Sequence, residues 1–498
     1  MNELLPTLPV FIKDVLSGMA YLIPEIILVV TFIIVLLADL FFPGRRSSVA
    51  FWLCLTGITA SVLFVAFKVP SVKGPALLFG NTLVSDAMSS IFKQIFYAVI
   101  VLFAIFIRCN PRVKQHKKGS GDLYILLPAV LLGLNLMSMA SSLLLIYLSI
   151  EMISISSYLM VGYVSGDDKQ TEAAMKYVLF GSACSAIMLY GMSLLYGFTG
   201  TLTITDPEFL LGLGEMPRSV VVIAVGLVLV GIGFKLSFVP FHFWSPDVYE
   251  GAPVPVTAFL STGPKIAGFA ILIRFLGGFS PQQGMGSISV FDFEGVLSAV
   301  AILSMVVGNF VAIWQDNIKR MLAYSSIGHT GFILMAVVVS TGSGLKAMMF
   351  YLLIYGLMNM SAFMLAGKIE DQSGAVSIKD YRGLGRYLKI EMVCFVVVLM
   401  SLTGLPPLAG FIAKFLVFSA VFENYSVDHS PWMLALLVTG AITTVVSLFY
   451  YFKVPLNAFL RQSETTPVIT VRRDILTYII IGLTFLLLLW GVFPGLLI

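Results

Sequence analysis

Four lysines, one glutamate and one histidine stand where the surrounding residues are almost wholly apolar. Glu151 lies in LLLIYLSIEMISISSYLMVGY, Lys235 in GIGFKLSF, Lys265 in VTAFLSTGPKIAGF, His329 in AYSSIGHTGFILM and Lys414 in PPLAGFIAKF, with Lys176 nearer the start of its apolar run. Placing a charge at the centre of a hydrocarbon layer costs about 2.5 to 3.5 kcal/mol on insertion scales, so such residues point to ion passage or proton relay. Burial favours a neutral lysine and a nearby carboxylate favours the ammonium, and that competition lets a moving partner switch a proton on or off. Blander roles exist for each residue. Glu151 could be a protonated carboxyl bonded to a helix carbonyl, Lys176 and Lys235 could extend their stems to the interface, and His329 could be a hydrogen-bonded packing residue. The hydroxyls of Ser325, Ser326 and Thr330 beside His329 suit a proton wire better than a metal site.

These residues need elements that cross a membrane. The 498-residue chain is 58% hydrophobic and 11% charged, far from the quarter or so of charged residues in soluble domains. Apolar runs of about 20 residues recur throughout, each long enough to span a hydrocarbon core of roughly 30 Å as a helix. The pattern predicts an all-α polytopic membrane protein with about 14 transmembrane helices. One run, 390–423, is too long for a straight crossing and contains Gly404, Pro406, Pro407 and Gly410, so it is expected to be two half-helices. The run ending at Pro240 is expected to be interrupted more mildly, at Gly231 and Gly233, before a loop shaped by Pro240, Pro246, Pro253 and Pro255 and flanked by His242 and Asp247.

Lys414 follows Lys235 by 179 residues and His329 follows Glu151 by 178. An odd number of spans separates the members of each pair, which predicts halves inverted relative to one another. The expected units are an N-terminal three-helix segment (1–120), a first repeat (121–280), a second repeat (281–456) and a C-terminal helix (457–498). Alternating the loops between two sides gathers most of the 30 basic residues on one of them, including Arg45, Lys117, Lys118, Lys319 and Lys368, while Lys73 and Lys93 fall on the other. By the positive-inside rule the first side is cytoplasmic and both termini lie outside, in the periplasm of a bacterial inner membrane. Glu25, Asp39 and Asp86 are assigned to span ends.

No redox or nucleotide chemistry is legible. Cys54, Cys109, Cys184 and Cys394 show no CxxC spacing. There is no GxGxxG unit and no phosphate-cradling loop with lysine.

The strings GFKLSFVPFHFWSPDVYEGAPVPVTAFLSTGPK, AYSSIGHTGF and SLTGLPPLAGFIAKF resemble the antiporter-like membrane subunits of respiratory complex I, the proton-pumping NADH:quinone oxidoreductase, over nearly the whole chain. The resemblance implies 14 helices with two inverted five-helix repeats, each with a discontinuous helix. It places the family's relay glutamate on Glu151 and its lysines on Lys235, Lys265 and Lys414, with Lys176 and His329 as auxiliary members. Lysine at 414, where several members carry glutamate, and the absence of a lateral helix after the last span point to one branch of the family. The family further implies that this chain binds no cofactor itself. FMN, iron–sulfur clusters, NADH and quinone belong to partner subunits, and its neighbours are other antiporter-like and small helical subunits within the lipid bilayer, with no nucleic acid. Rival expectations are a subunit of a multisubunit sodium/proton antiporter or of a membrane-bound hydrogenase.

Overall fold

The computed structural model describes residues 8–41, 46–68, 75–114, 119–164, 168–279, 291–339, 341–462 and 472–496. Arg45, Lys73, Lys117, Lys118 and the expected boundary between 280 and 281 lie outside the described residues. The helices, in chain order, are α1 (Leu8–Met19), α2 (Ile23–Phe41), α3 (Arg46–Lys68), α4 (Ala87–Cys109), α5 (Pro111–Lys114), α6 (Gly121–Met139) and α7 (Leu143–Val161). Next come α8 (Asp168–Thr199), α9 (Pro207–Gly214), α10 (Arg218–Leu236), α11 (Trp244–Gly251), α12 (Val254–Gly277), α13 (Phe293–Ile313) and α14 (Ile318–Val338). The last are α15 (Gly342–Ser373), α16 (Lys389–Thr403), α17 (Ala409–Asp428), α18 (Pro431–Pro455) and α19 (Ile475–Val492). A hairpin of β1 (Ala76–Leu78) and β2 (Leu83–Ser85) precedes α4.

Among the described residues, 13 helical stretches are long and apolar enough to cross a membrane. The pair α16 and α17 is separate from these. It is divided at Gly404, in the left-handed region at φ 89°, so the long run 390–423 is two pieces as expected. The helix ends follow local chemistry. Asp86 and Ser89 form a reciprocal cap on α4, Asn317 accepts from the amides of Lys319 and Arg320, and Asp474 caps α19.

Burial sorts the helices. The apolar windows of α12, α14 and α15 are 94%, 94% and 89% buried, whereas those of α3 and α18 are 28% buried. The outer helices present apolar side chains at helical spacing, such as Leu434, Val438, Ile442, Val445 and Phe449 on α18, as a lipid-facing surface requires. With lipid outside and apolar residues inside, close packing must come from small side chains. Gly308 of α13 illustrates this: a Cβ there would come within 2.4 Å of the Gly328 amide nitrogen on α14.

Two expectations are corrected. The helix bearing Lys235 runs unbroken through Gly231 and Gly233; it ends at Leu236 because Ser237 turns into the left-handed region at φ 54°. Nor is the following segment only a loop. Trp244–Gly251 is helical, and its proline, Pro246, falls in the first turn, where no amide hydrogen is needed.

Candidate functional site

Lys235 occupies the last turn of α10, where the unpaired carbonyls of a helix end favour a cation. The polar backbone of that end is satisfied within the protein. Phe234 O accepts from the Trp244 indole at 3.0 Å, Leu236 O accepts from the Thr330 hydroxyl at 3.2 Å, and the Val239 amide donates to Ser304 Oγ at 3.0 Å. Lys235 is buried, and its Nζ donates to Ser154 Oγ on α7 at 3.0 Å. Glu151, one turn earlier on α7, accepts a hydrogen bond from Ser185 of α8. Glu151 is the ninth residue of α7 and only half-buried, so it lies deep along the helix but on a flank of this chain.

Lys265 is the twelfth residue of α12 and donates to Ser326 Oγ of α14 at 2.7 Å. It follows Pro264, which cannot donate to the carbonyl of Leu260. Tyr249 supplies the missing donor, its hydroxyl reaching Leu260 O at 3.3 Å. The proline can therefore sit inside a buried helix without leaving that carbonyl unpaired.

From Ser326 the polar groups continue along α14. His329 is buried, its Nδ1 is 2.8 Å from the Tyr351 hydroxyl and its Nε2 3.3 Å from the Tyr451 hydroxyl, which also pairs with Ser325. One turn beyond His329, the ring of Phe332 carries the Lys414 ammonium 4.5 Å from its centroid. Lys414 Nζ donates to Thr403 O at 2.8 Å, at the open end of α16. Gly404 makes that approach possible, since a Cβ there would meet Lys414 Cδ at 2.8 Å. Both lysines thus lie near a helix C-terminus, Lys235 in the last turn of α10 with its ammonium on Ser154, and Lys414 with its ammonium on the carbonyl that ends α16.

Five of the six expected residues fall on this axis. Glu151 and Lys235 meet through α7, and Lys265, His329 and Lys414 meet through α14. The two groups are joined where Thr330, next to His329, holds the broken end of α10. Lys176 departs from the rest, because α8 starts earlier than its apolar run suggests. Its side chain is 37% exposed and pairs with Glu172 at 2.7 Å and Asp247 at 2.6 Å. Arg320 joins them through Asp247 and Glu250 around a cavity of about 230 Å³. Burial works against ionisation of Asp247, but hydrogen bonds from Lys176 and Arg320 outweigh it and hold the carboxyl below the usual range.

Three ion pairs were not legible in the sequence. Glu25, assigned above to a span end, and Lys93, assigned to the less basic side, form a buried pair at 2.8 Å. Lys368, assigned to a basic loop, is buried in α15 and pairs with Asp474 at 2.6 Å. Arg274 grips Asp86 through two hydrogen bonds of 2.7 Å. Depth along the chain was a signal for Glu25, which is eleventh in the continuous helical stretch Val15–Phe41. The partners are distant in sequence, so the pairing itself left no local mark.

Comparison with known proteins follows the same outline. The family model described as NADH:quinone oxidoreductase/Mrp antiporter, transmembrane, matches residues 140–445, and the chain belongs to that family of polytopic membrane proteins. Within it the similarity runs to subunits named N. The chain is 41% identical to NADH-quinone oxidoreductase subunit N 2 of Chloroherpeton thalassium, covering 90% of this chain and 86% of that one. It is 38% identical to subunit N of Chlorobium chlorochromatii, covering 90% and 86%. A chain in the structure of respiratory complex I from Thermus thermophilus with bound aureothin superposes with a TM-score of 0.78 at 31% identity, covering 95% of this chain and 98% of that one. A chain of the Mrp complex from Dietzia shares the fold, with a TM-score of 0.76 at 21% identity.

Proposed function

We propose that this chain is a proton-translocating membrane subunit, of the N type, of a bacterial NADH:quinone oxidoreductase. The observation that carries the reading is the axis from Glu151 through Lys235, Lys265 and His329 to Lys414, with one lysine in the last turn of α10 and another at the end of α16. Electron transfer from NADH to quinone takes place in partner subunits, which hold the FMN, the iron–sulfur clusters and the quinone. This chain's part in the translocase is to move protons. A perturbation reaching Glu151 on its exposed flank changes the charge facing Lys235, and close charges in a poorly solvated site shift each other's proton affinity strongly. The change passes through α14 to Lys265 and Lys414. Lys176, with Asp247, Glu250 and Arg320, forms a charged mouth where protons are collected at the membrane face.

The helices that bear Lys235 and Lys414 belong to inverted repeats, within 121–280 and 281–456. Support for this comes from the matched separations of 179 residues between the lysines and 178 between Glu151 and His329. The orientation that puts most basic loops in the cytoplasm places both termini in the periplasm.

Substitution tests the axis. Glu151→Ala or Lys235→Ala, in the assembly purified under mild detergent and reconstituted in liposomes, is expected to lower proton translocation by about tenfold or more, as a barrier raised by at least roughly 1.4 kcal/mol implies. Assembly should be unchanged. Normal pumping by both variants would remove these residues from the relay. Purification as a small complex without NADH oxidation, but with sodium-dependent proton flux, would favour the antiporter reading.

A further inference from the structure

A second cluster of buried polar groups lies in the first helices, outside residues 140–445 matched by the family model. Lys93 of α4 and Glu25 of α2 are paired at 2.8 Å, with side chains only 6% and 4% exposed. Asn135 of α6 donates to Glu25 Oε1 at 3.1 Å and to the Tyr97 hydroxyl at 3.4 Å. Tyr97 hydrogen-bonds Ser61 of α3, whose hydroxyl donates to Pro24 O at 2.9 Å. Four helices thus each contribute a polar side chain to one buried point.

The cluster is unlike a static lock. A buried ion pair stabilises only when the remaining lone pairs are also satisfied. Here Glu25 Oε2 and Asn135 Oδ1 are buried acceptors with no hydrogen-bond partner among the described residues, although Glu25 is 3% and Asn135 0% exposed. Of the two, the carboxylate oxygen Glu25 Oε2 can take a proton, whereas the amide oxygen Asn135 Oδ1 can only accept a hydrogen bond.

Helix α4 leads from the pair to its own N-terminus, capped by Asp86. Asp86, Lys93 and Tyr97 are spaced by seven and four residues, which places them on one helix face. In the first turn of α4 the hydroxyls of Ser89 and Ser90 donate back to the backbone carbonyl of Asp86. Asp86 itself is held by Arg274 and is 21% exposed at its side chain. Asp86, Ser89, Ser90, Lys93 and Tyr97 therefore follow one another in chain order from that end along α4.

We propose that Glu25 and Lys93 form a proton-binding site separate from the Glu151–Lys414 axis, exchanging protons with the membrane face at Asp86. In the first step an N–H bond of the Lys93 ammonium breaks as an O–H bond forms on Glu25, giving an amine and a carboxylic acid without change in net charge. The amine then takes a proton arriving along α4, so the pair carries one more positive charge. Loss of the Glu25 proton restores the starting state. The groups facing the pair are Tyr97 on α4, Ser61 on α3 and Asn135 on α6; no other charged side chain hydrogen-bonds to it among the described residues.

Infrared difference spectroscopy of the purified full chain in its native assembly tests this without depending on pumping. A pH step in H2O and in D2O should produce a protonated-carboxyl band that shifts on deuteration, vanishes in Glu25→Gln and persists in Glu151→Gln. Should Glu25→Gln fail to assemble, Glu25→Asp serves, because it should move the band rather than remove it. A second measurement separates a relay from a lock. In the double variant Glu25→Gln/Lys93→Gln, which removes the charges together, the wild-type-minus-variant difference in proton uptake on the pH step should amount to the one proton that the site loads. No Glu25-dependent band at any pH, or unchanged uptake by a correctly assembled double variant, would overturn the proposal.

Discussion

At the scale of single residues, the chain places cations by giving each a carbonyl, a hydroxyl or a carboxylate at close range. Lys414 has Thr403 O and the face of Phe332, Lys265 has Ser326, and Lys235 has Ser154. None of the three has a carboxylate in hydrogen-bond contact among the described residues. The charged mouth differs: Asp247 is bonded to both Lys176 and Arg320. Because its carboxyl is held below the usual range, its contribution to stability is present above the unfolded-state value. That contribution is lost as pH falls through the lower folded value. Asp247→Asn is expected to lower stability at pH 7 by about 1 kcal/mol or less, allowing for solvent screening of these part-exposed groups. The difference should narrow below about pH 4, near the ordinary aspartate value. Thermal melts of wild type and variant across pH check this, and a gap that widened in acid would contradict it.

At the scale of elements, α14 is the member on which the site depends. It carries Ser325, Ser326, His329, Thr330 and Phe332, and so touches Lys265, both tyrosines, the end of α10 and Lys414. Its position is set partly by backbone contact with α13 at Gly308. Gly308→Ala forces a Cβ to within 2.4 Å of backbone that cannot yield as a side chain would. Overpacking of this kind costs about 1 to 3 kcal/mol. The expected outcome is a lower melting temperature of the purified protein, together with weakened proton transfer through the displaced Ser326 and His329. An unchanged melt would show that α13 can move aside.

At the scale of the whole molecule, the most buried helices are those that hold Lys265 and His329, and the polar axis runs through the least lipid-exposed part of the protein. Glu151 is the exception, since its half-exposed flank is where a neighbouring subunit would have to act. The proposed orientation follows from the basic loops. In a background with the four native cysteines replaced, a cysteine at Glu215 should react with an impermeant reagent from outside intact cells. One at Lys379 should react only after permeabilisation. The opposite labelling would invert the assignment.

Much of this protein was legible before folding. The membrane environment, the broken run at 390–423, and the singling out of Glu151, Lys235, Lys265, His329 and Lys414 all followed from one-dimensional cues. A charge within an apolar run is conspicuous, and proline with glycine interrupts a helix wherever it occurs. What the chain did not reveal were facts of partnership. That Lys93 faces Glu25, that Lys368 faces Asp474, and that Lys176 is part-exposed beside Asp247 depend on which faces of helices far apart in sequence come together. A helix presents different faces every residue, and in a membrane nearly every face is apolar, so hydrophobic pattern cannot set its rotation. Close packing does that, and the tertiary structure alone decided which buried charges stand in pairs and which stand on the axis.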